Sequence, residues 1–251
     1  MRFELEHASV RYPRILALDN VSLSIASGER VALVGPSGAG KTTLLGLLHG
    51  GVRPSAGTVR VDDRVLGEMS MKDLRATRLA MGFVPQSFGL VPESRVLQNV
   101  AAGRVGTRNW FGTLRDFLAP SRDTVREIHE TLERVGISEK LYERVDTLSG
   151  GQQQRVAVAR ALFQKPRSLL ADEPISSVDP SRARATVGLL SDLAQERELT
   201  LLVSLHQYEL ARELFPRLIG LREGRVHFDS PSSKVSESMF RDLYELDVTS
   251  S

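Results

Sequence analysis

No stretch constrains this chain more than Gly35-Pro36-Ser37-Gly38-Ala39-Gly40-Lys41-Thr42. It follows an apolar run, Arg30-Val31-Ala32-Leu33-Val34, and leads through Thr43 into a helical segment that Gly50-Gly51 stops. Strand, glycine-rich loop and helix is the order in which G-x-x-x-x-G-K-[ST] operates. The glycines of Gly35, Pro36, Ser37, Gly38, Ala39 and Gly40 let the backbone wrap closely, so that successive N–H groups point inward at phosphates. The following helix adds its positive end. Lys41 supplies a mobile charge for β- and γ-phosphates, and the Thr42 hydroxyl suits Mg²⁺. The loop implies binding of ATP or GTP.

Around it the chain reads as α/β. Phe3 and Leu5 alternate with acids as in a half-buried strand, and Thr58–Val61 and Met81–Val84 read as further strands. From about Pro92 to Lys165 the pattern is helical, with Val125, Ile128, Leu132 and Val135 on one stripe. Strands return at Ser168–Ala171 and Leu199–Leu205, and Arg217–Phe228 reads as a hairpin turning near Glu223-Gly224. With 251 residues, one unit carrying an inserted lobe is expected. Its core covers 1–90 and 165–230, its helical lobe about 91–164. The Ser-rich residues 231–251 are expected to form a loosely packed tail.

Two further elements carry chemistry. Leu169-Leu170-Ala171 ends in Asp172-Glu173. Alone, that is an ordinary strand end; after a phosphate loop, a carboxylate is needed near Mg²⁺ and another group near the attacking water. Asp172 is assigned to the metal and Glu173 to the water. The second element is Leu148-Ser149-Gly150-Gly151-Gln152. Ser149 is a good N-cap for the helix that runs on to Ala161-Leu162. A capped helix explains Ser149 but not two adjacent glycines, which weaken a helix start. An anion-binding helix start without its own lysine or metal ligand reads as half a site. The other half comes from another subunit.

Composition removes alternatives. No cysteine is present, which excludes disulfides, thiolate metal sites and a cysteine nucleophile. Lys plus Arg number 33 against 31 Asp plus Glu, with no long basic run, so nucleic acid is not an expected partner. Acids follow Met1 where a signal peptide needs an apolar stretch, and no run approaches the roughly 20 apolar residues of a membrane span. A soluble chain is expected, reaching a membrane only through a partner.

Together these motifs resemble the ABC ATPase family, in the family's order, over about Phe3 to Asp229. The resemblance implies a P-loop NTPase core of the ABC ATPase type, with an antiparallel β subdomain and an inserted α-helical subdomain. It implies that Gln86, in Phe83-Val84-Pro85-Gln86, belongs to the glutamine loop and helps bind Mg²⁺ or water. Ser176-Ser177-Val178-Asp179 resembles the D-loop, His206 the switch histidine at the γ-phosphate, and Tyr12 the aromatic stacked on adenine. Val178 stands where leucine is more usual. Ser149, Gly150, Gly151 and Gln152 are then the signature that faces the ATP of a second copy in a head-to-tail homodimer, with ATP and Mg²⁺ as cofactors.

A stand-alone cassette resembles importer subunits of prokaryotes, peripheral on the cytoplasmic face of the membrane. Such subunits act on transmembrane permeases and, indirectly, a periplasmic or surface solute-binding protein. Phe88–Val91, Val96–Val100, Gly103–Trp110 and Ser204–Gln207 are similar to the phosphonate-importer branch. Phosphonate, phosphite or phosphate esters are the first expectation for cargo. An amino-acid or lipoprotein-type system is the second, and a soluble ABC ATPase on nucleic acid or ribosomes is a more distant one. Trp110–Leu118 reads equally as a dock for a membrane subunit or as packing of the helical lobe.

Overall fold

In the computed structural model, residues 1–105, 120–174 and 180–245 are described. Their contacts divide into two units, 1–70 with 191–251, and 71–190. The inserted lobe was expected at 91–164. The contact division also gathers two strands with those helices.

In the first unit, the apolar run before the glycine-rich loop becomes β3 (Arg30–Val34), buried from Val31 onward. β8 (Thr200–Leu205) pairs parallel on one side of it and β9 (Arg217–Arg222) parallel on the other. β10 (Arg225–Pro231) closes the order antiparallel to β9. β3 and β8 read as continuous apolar runs because parallel strands are covered on both faces. The β9–β10 turn uses Glu223 and Gly224, both left-handed at φ 51° and 77°. Two positive angles are what a two-residue hairpin turn requires. α1 (Lys41–Leu48) buries Leu44, Leu45, Leu47 and Leu48.

The same unit holds an antiparallel sheet in the order β2-β1-β4-β5. Its strands are β1 (Phe3–Tyr12), β2 (Ile15–Ile25), β4 (Ala56–Val61) and β5 (Arg64–Val65). Phe3 and Leu5 face the core, then Ala8 and Val10. The alternation slips by one residue because the register shifts between Leu5 and Ala8, where His7 sits at φ 50°. A bulge keeps the apolar set on one face.

Through residue 245 the Ser-rich end is packed rather than loose, and the expectation is corrected for that stretch; residues 246–251 lie outside the described residues. α7 (Tyr208–Leu214) precedes the β9–β10 hairpin, and α8 (Glu237–Tyr244) follows it. Ser236 caps α8 by accepting from Met239 N at 3.2 Å. Val235 and Leu243 are fully buried. Tyr208 OH donates to Val235 O at 2.9 Å, and Phe240 lies 4.6 Å from both the Tyr208 and Tyr244 rings. Val235, Met239, Phe240, Leu243 and Tyr244 recur at helical spacing; the serines around them are a cap, not a sign of loose chain.

The second unit pairs β6 (Met81–Val84) parallel with β7 (Ser168–Ala171). Around them lie α2 (Met71–Leu79), α3 (Val96–Ala101), α4 (Arg122–Arg134) and α5 (Gly150–Phe163); α6 (Pro180–Glu196) runs across the division. α4 buries Ile128 and Leu132, and Val135 just beyond it, on the stripe read from sequence; Val125 is half-buried and Thr131 buried. No helix among the described residues is long and apolar enough to cross a membrane.

Candidate functional site

In the first unit, α1 begins at Gly40, left-handed at φ 102°, with no side-chain cap and no acid in its first turn. A helix start left in that condition offers N–H groups and a positive dipole end to an anion. Lys41 is 4% exposed, and its Nζ donates to Gly35 O at 2.9 Å and Pro36 O at 3.1 Å. The loop's own carbonyls thus hold the ammonium at the place where phosphate oxygens would arrive. Two glycines are required by packing. A Cβ at Gly35 would lie 2.1 Å from Leu221 O, and one at Gly40 2.5 Å from Ala17 O. At Gly38, φ 81°, nothing lies within 4 Å, so that stretch of backbone is open to a ligand. Thr42 is exposed and Thr43 half-buried on the first turn.

His206 directly follows β8. Leu205 pairs with Val34 in register, so His206 and Gly35 leave the same end of neighbouring parallel strands. That carboxyl edge is where open parallel sheets place ligands. Tyr12, 44% exposed, stands at the tip of the β1–β2 hairpin, whose Ala17 and Leu18 press against Gly40. One contact escaped the sequence reading: Tyr244 OH accepts from Gly35 N at 3.1 Å. The helical spacing of the tail was the signal that could have found it.

In the second unit, Val84 pairs with Ala171, so Gln86 and Asp172-Glu173 also leave the same strand ends. Asp172 N donates to Val84 O at 2.9 Å, which carries the ladder one step beyond the strands. Asp172 is 3% exposed. Glu173 is left-handed at φ 44°, a conformation that costs a non-glycine residue about 1 kcal/mol or more. Its Oε2 accepts from Gln86 Nε2 at 2.9 Å. Two residues from distant stretches of sequence thus meet at one carboxylate.

The start of α5 differs in kind. Ser149 Oγ accepts from Gln152 N at 3.4 Å, and Ser149 N donates to Gln152 Oε1 at 2.9 Å, a reciprocal capping box. Beside it opens a cleft of about 260 Å³ lined by residues that include Gly136, Glu139, Gly151, Arg155 and Thr186. Nothing lies within 4 Å of a Cβ built on Gly150 or Gly151. Their own chain does not demand glycine there.

Among the described residues no group of three or more His, Asp or Glu forms a ready metal site. Thr42, Gln86 and Asp172 are oxygen donors, the chemistry that a hard cation such as Mg²⁺ takes. Asp179 and the Trp110–Leu118 segment lie outside the described residues.

The ABC transporter family profile matches residues 18–176. Phosphonates import ATP-binding protein PhnC 1 of Halalkalibacterium halodurans is 43% identical over 242 residues, covering 96% of this chain and 93% of that protein. The PhnC protein of Pseudomonas putida is 45% identical over 240 residues, covering 94% and 87%. Among solved structures, the dimeric MJ0796, a bacterial ABC transporter cassette, superimposes with TM-score 0.81 at 31% identity, covering 92% of this chain and 98% of that one. MJ0796 in a dimeric post-hydrolysis state bound to ADP and Pi gives 0.76 at 30%, with the same coverage.

Proposed function

Because this chain belongs to the ABC transporter family, as an ATP-binding and ATP-hydrolysing subunit, we propose that it energises import of a phosphonate-class solute. The single observation that carries the catalytic half is the Gln86–Glu173 hydrogen bond at the ends of parallel strands. It holds a carboxylate in a strained, defined place, as a group that must orient and deprotonate water requires. ATP and water give ADP and phosphate.

In this reading the backbone of residues 35–43 cradles the phosphates, and Lys41 leaves the carbonyls of Gly35 and Pro36 for the β- and γ-oxygens. Glu173 accepts the proton of the attacking water while Gln86 keeps its carboxylate aimed. His206 contacts the γ-phosphate, and Tyr12 stacks on adenine. Thr42, Gln86 and Asp172 would hold Mg²⁺, which when bound neutralises charge on the phosphate oxygens.

Ser149, Gly150, Gly151, Gln152 and Asp179 serve the ATP of a second copy packed head to tail. The exposed, unobstructed start of α5 supports that assignment. Hydrolysis removes the γ-phosphate contact between copies, and the pair reopens. The partners are transmembrane permease subunits at the cytoplasmic face of a prokaryotic membrane. A periplasmic or surface solute-binding protein acts through them. The names of the two PhnC relatives, each similar over nearly the whole chain, support phosphonate cargo.

Glu173→Gln tests the catalytic half. ATP binding should persist while turnover falls about 10²–10⁴-fold; turnover at the parental rate means that Glu173 is misassigned. For the cargo, the chain is reconstituted with candidate permease and binding subunits. Phosphonate should stimulate ATP hydrolysis, and stimulation by an amino acid alone would overturn the assignment.

A further inference from the structure

Residues 85–89 form a tight turn. Phe88 N donates to Pro85 O at 2.9 Å and Gly89 N to Ser87 O at 2.7 Å. Phe88 and Gly89 are both left-handed at φ 59°, unfavourable for the phenylalanine. Such a turn persists when its surroundings hold it. Arg160, on α5, supplies the restraint: its Nη2 donates to Phe88 O at 2.6 Å and its Nη1 to Gly89 O at 2.5 Å. The planar guanidinium offers two fixed donors side by side, which a lysine does not.

Among the described residues Arg160 pairs with no carboxylate, and burial pushes its guanidinium below the usual arginine range. A half-buried cation with no carboxylate beside it is unfavourable for stability unless its hydrogen bonds do something in return. The backbone that carries Arg160 is itself fixed, since a Cβ at Gly103 would lie 2.3 Å from Arg160 O. On the near side of the same turn, Gln86 reaches Glu173.

We propose that Arg160 is a positioning residue: its fork sets the 85–89 turn, the turn aims Gln86, and Gln86 places the Glu173 carboxylate. This rests on the assignment of Gln86 and Glu173 made above. α5 begins at Ser149–Gln152, the helix start assigned to the other copy's γ-phosphate. A shift at that end is carried by the rigid helix to Arg160 and from there to the water-activating carboxylate. The capping end of α5 and the chemistry it must license are joined through one side chain.

Arg160→Lys keeps the charge and removes the fork. Turnover should fall about tenfold while KM for ATP changes less than about threefold, because the 35–43 loop that binds the phosphates is untouched and only the aim of Gln86 is altered. In a Gln86→Ala background the same substitution should change turnover less than about twofold, since the step it acts through is gone. An additive loss, or no loss from Arg160→Lys alone, overturns the proposal. Gln86→Ala at the parental rate overturns the underlying assignment instead, and this inference with it.

If Arg160→Lys does not fold, a second measurement leaves Arg160 intact. The side-chain N–H resonances of Arg160 should shift when a non-hydrolysable ATP analogue with Mg²⁺ is added to the parental chain, and not in Gly151→Asp, which bars the other copy's phosphate from the start of α5. No shift in the parental chain, or an equal shift in both, overturns the proposal.

Discussion

The chain contains two glycine-bearing helix starts, and they are built in opposite ways. α1 starts at a left-handed glycine with no side-chain cap and a buried lysine folded into its loop. α5 starts at Ser149 with a complete capping box, exposed and without a cation in its first turn. The glycines differ as well. Gly35 and Gly40 are required by the carbonyls of Leu221 and Ala17, whereas Gly150 and Gly151 face open space. The first start has no side-chain cap, and on the proposed reading it is completed by a ligand. The second satisfies itself in the free chain, through a long 3.4 Å cap that an incoming phosphate oxygen can replace. On the proposed reading, one is a site and the other becomes part of one only when another copy brings the phosphate.

Gly151→Asp puts the contrast under the most strain. Hydrolysis should fall about 10²–10³-fold, the scale at which a site loses its stabilisation of transition-state charge, because a carboxylate then repels the incoming phosphate. Stability should rise by about 0.5–1 kcal/mol, because an acid is favourable in a first turn and glycine is not. Thermal unfolding and ATPase rates, measured side by side, would then move in opposite directions. A drop in both would show that Gly151 is structural, like Gly40.

Lys41→Ala should weaken ATP binding about 10–100-fold, the loss of a charge-assisted hydrogen bond worth roughly 1.5–3 kcal/mol. Titration of the single chain with a fluorescent ATP analogue measures it, and unchanged affinity would remove the asymmetry between the two starts. Ser149→Ala should cost about 1 kcal/mol of stability through the lost cap. Nucleotide affinity of the isolated chain should stay as it was, since the cap touches no phosphate of its own copy; altered affinity there would contradict the half-site.

The smallest effect concerns the far end of α5. Arg104 donates to both oxygens of Glu127 at 2.6 Å and through Nε to Phe163 O at 2.7 Å, and Lys165 joins Glu127 at 2.7 Å. Hydrogen bonds from Arg104, then Lys165, outweigh burial and hold the Glu127 carboxyl at about 2, below its usual 4.5. A depressed carboxylate stabilises the fold above about pH 4.5, and that contribution fades as pH falls toward 2. Glu127→Gln should therefore cost at most about 1 kcal/mol near neutral pH, the side chain being 31% exposed. The difference from the parental chain should shrink on acidification through that window. A pH-independent difference would show that the ion pairs contribute nothing there.

Much of this was legible in the residues. β3, β6 and β7 fall on the runs read from sequence, α1 follows its loop, and Ser149 caps α5 as its residue type demands. Period and capping are local properties, written within a few residues. The tail was misread for a related reason: its serines were counted as looseness, although Ser236 is a cap and Val235 and Leu243 belong to the core. The bulge near His7 was likewise invisible, because a register slip depends on the neighbouring strand.

The sequence by itself determined the chemistry available: a phosphate loop with its lysine, acids at a strand end, and a second helix start without a cation. Strand, loop and helix are contiguous there, so spacing alone fixes which groups face the anion. Only the tertiary structure decided which distant groups meet. Gln86 reaches Glu173, Tyr244 reaches Gly35 N, and Arg160 clamps Phe88 and Gly89. Those pairs depend on parallel register and on helices packed to fixed depth, which are set by burial of the whole core rather than by any local run.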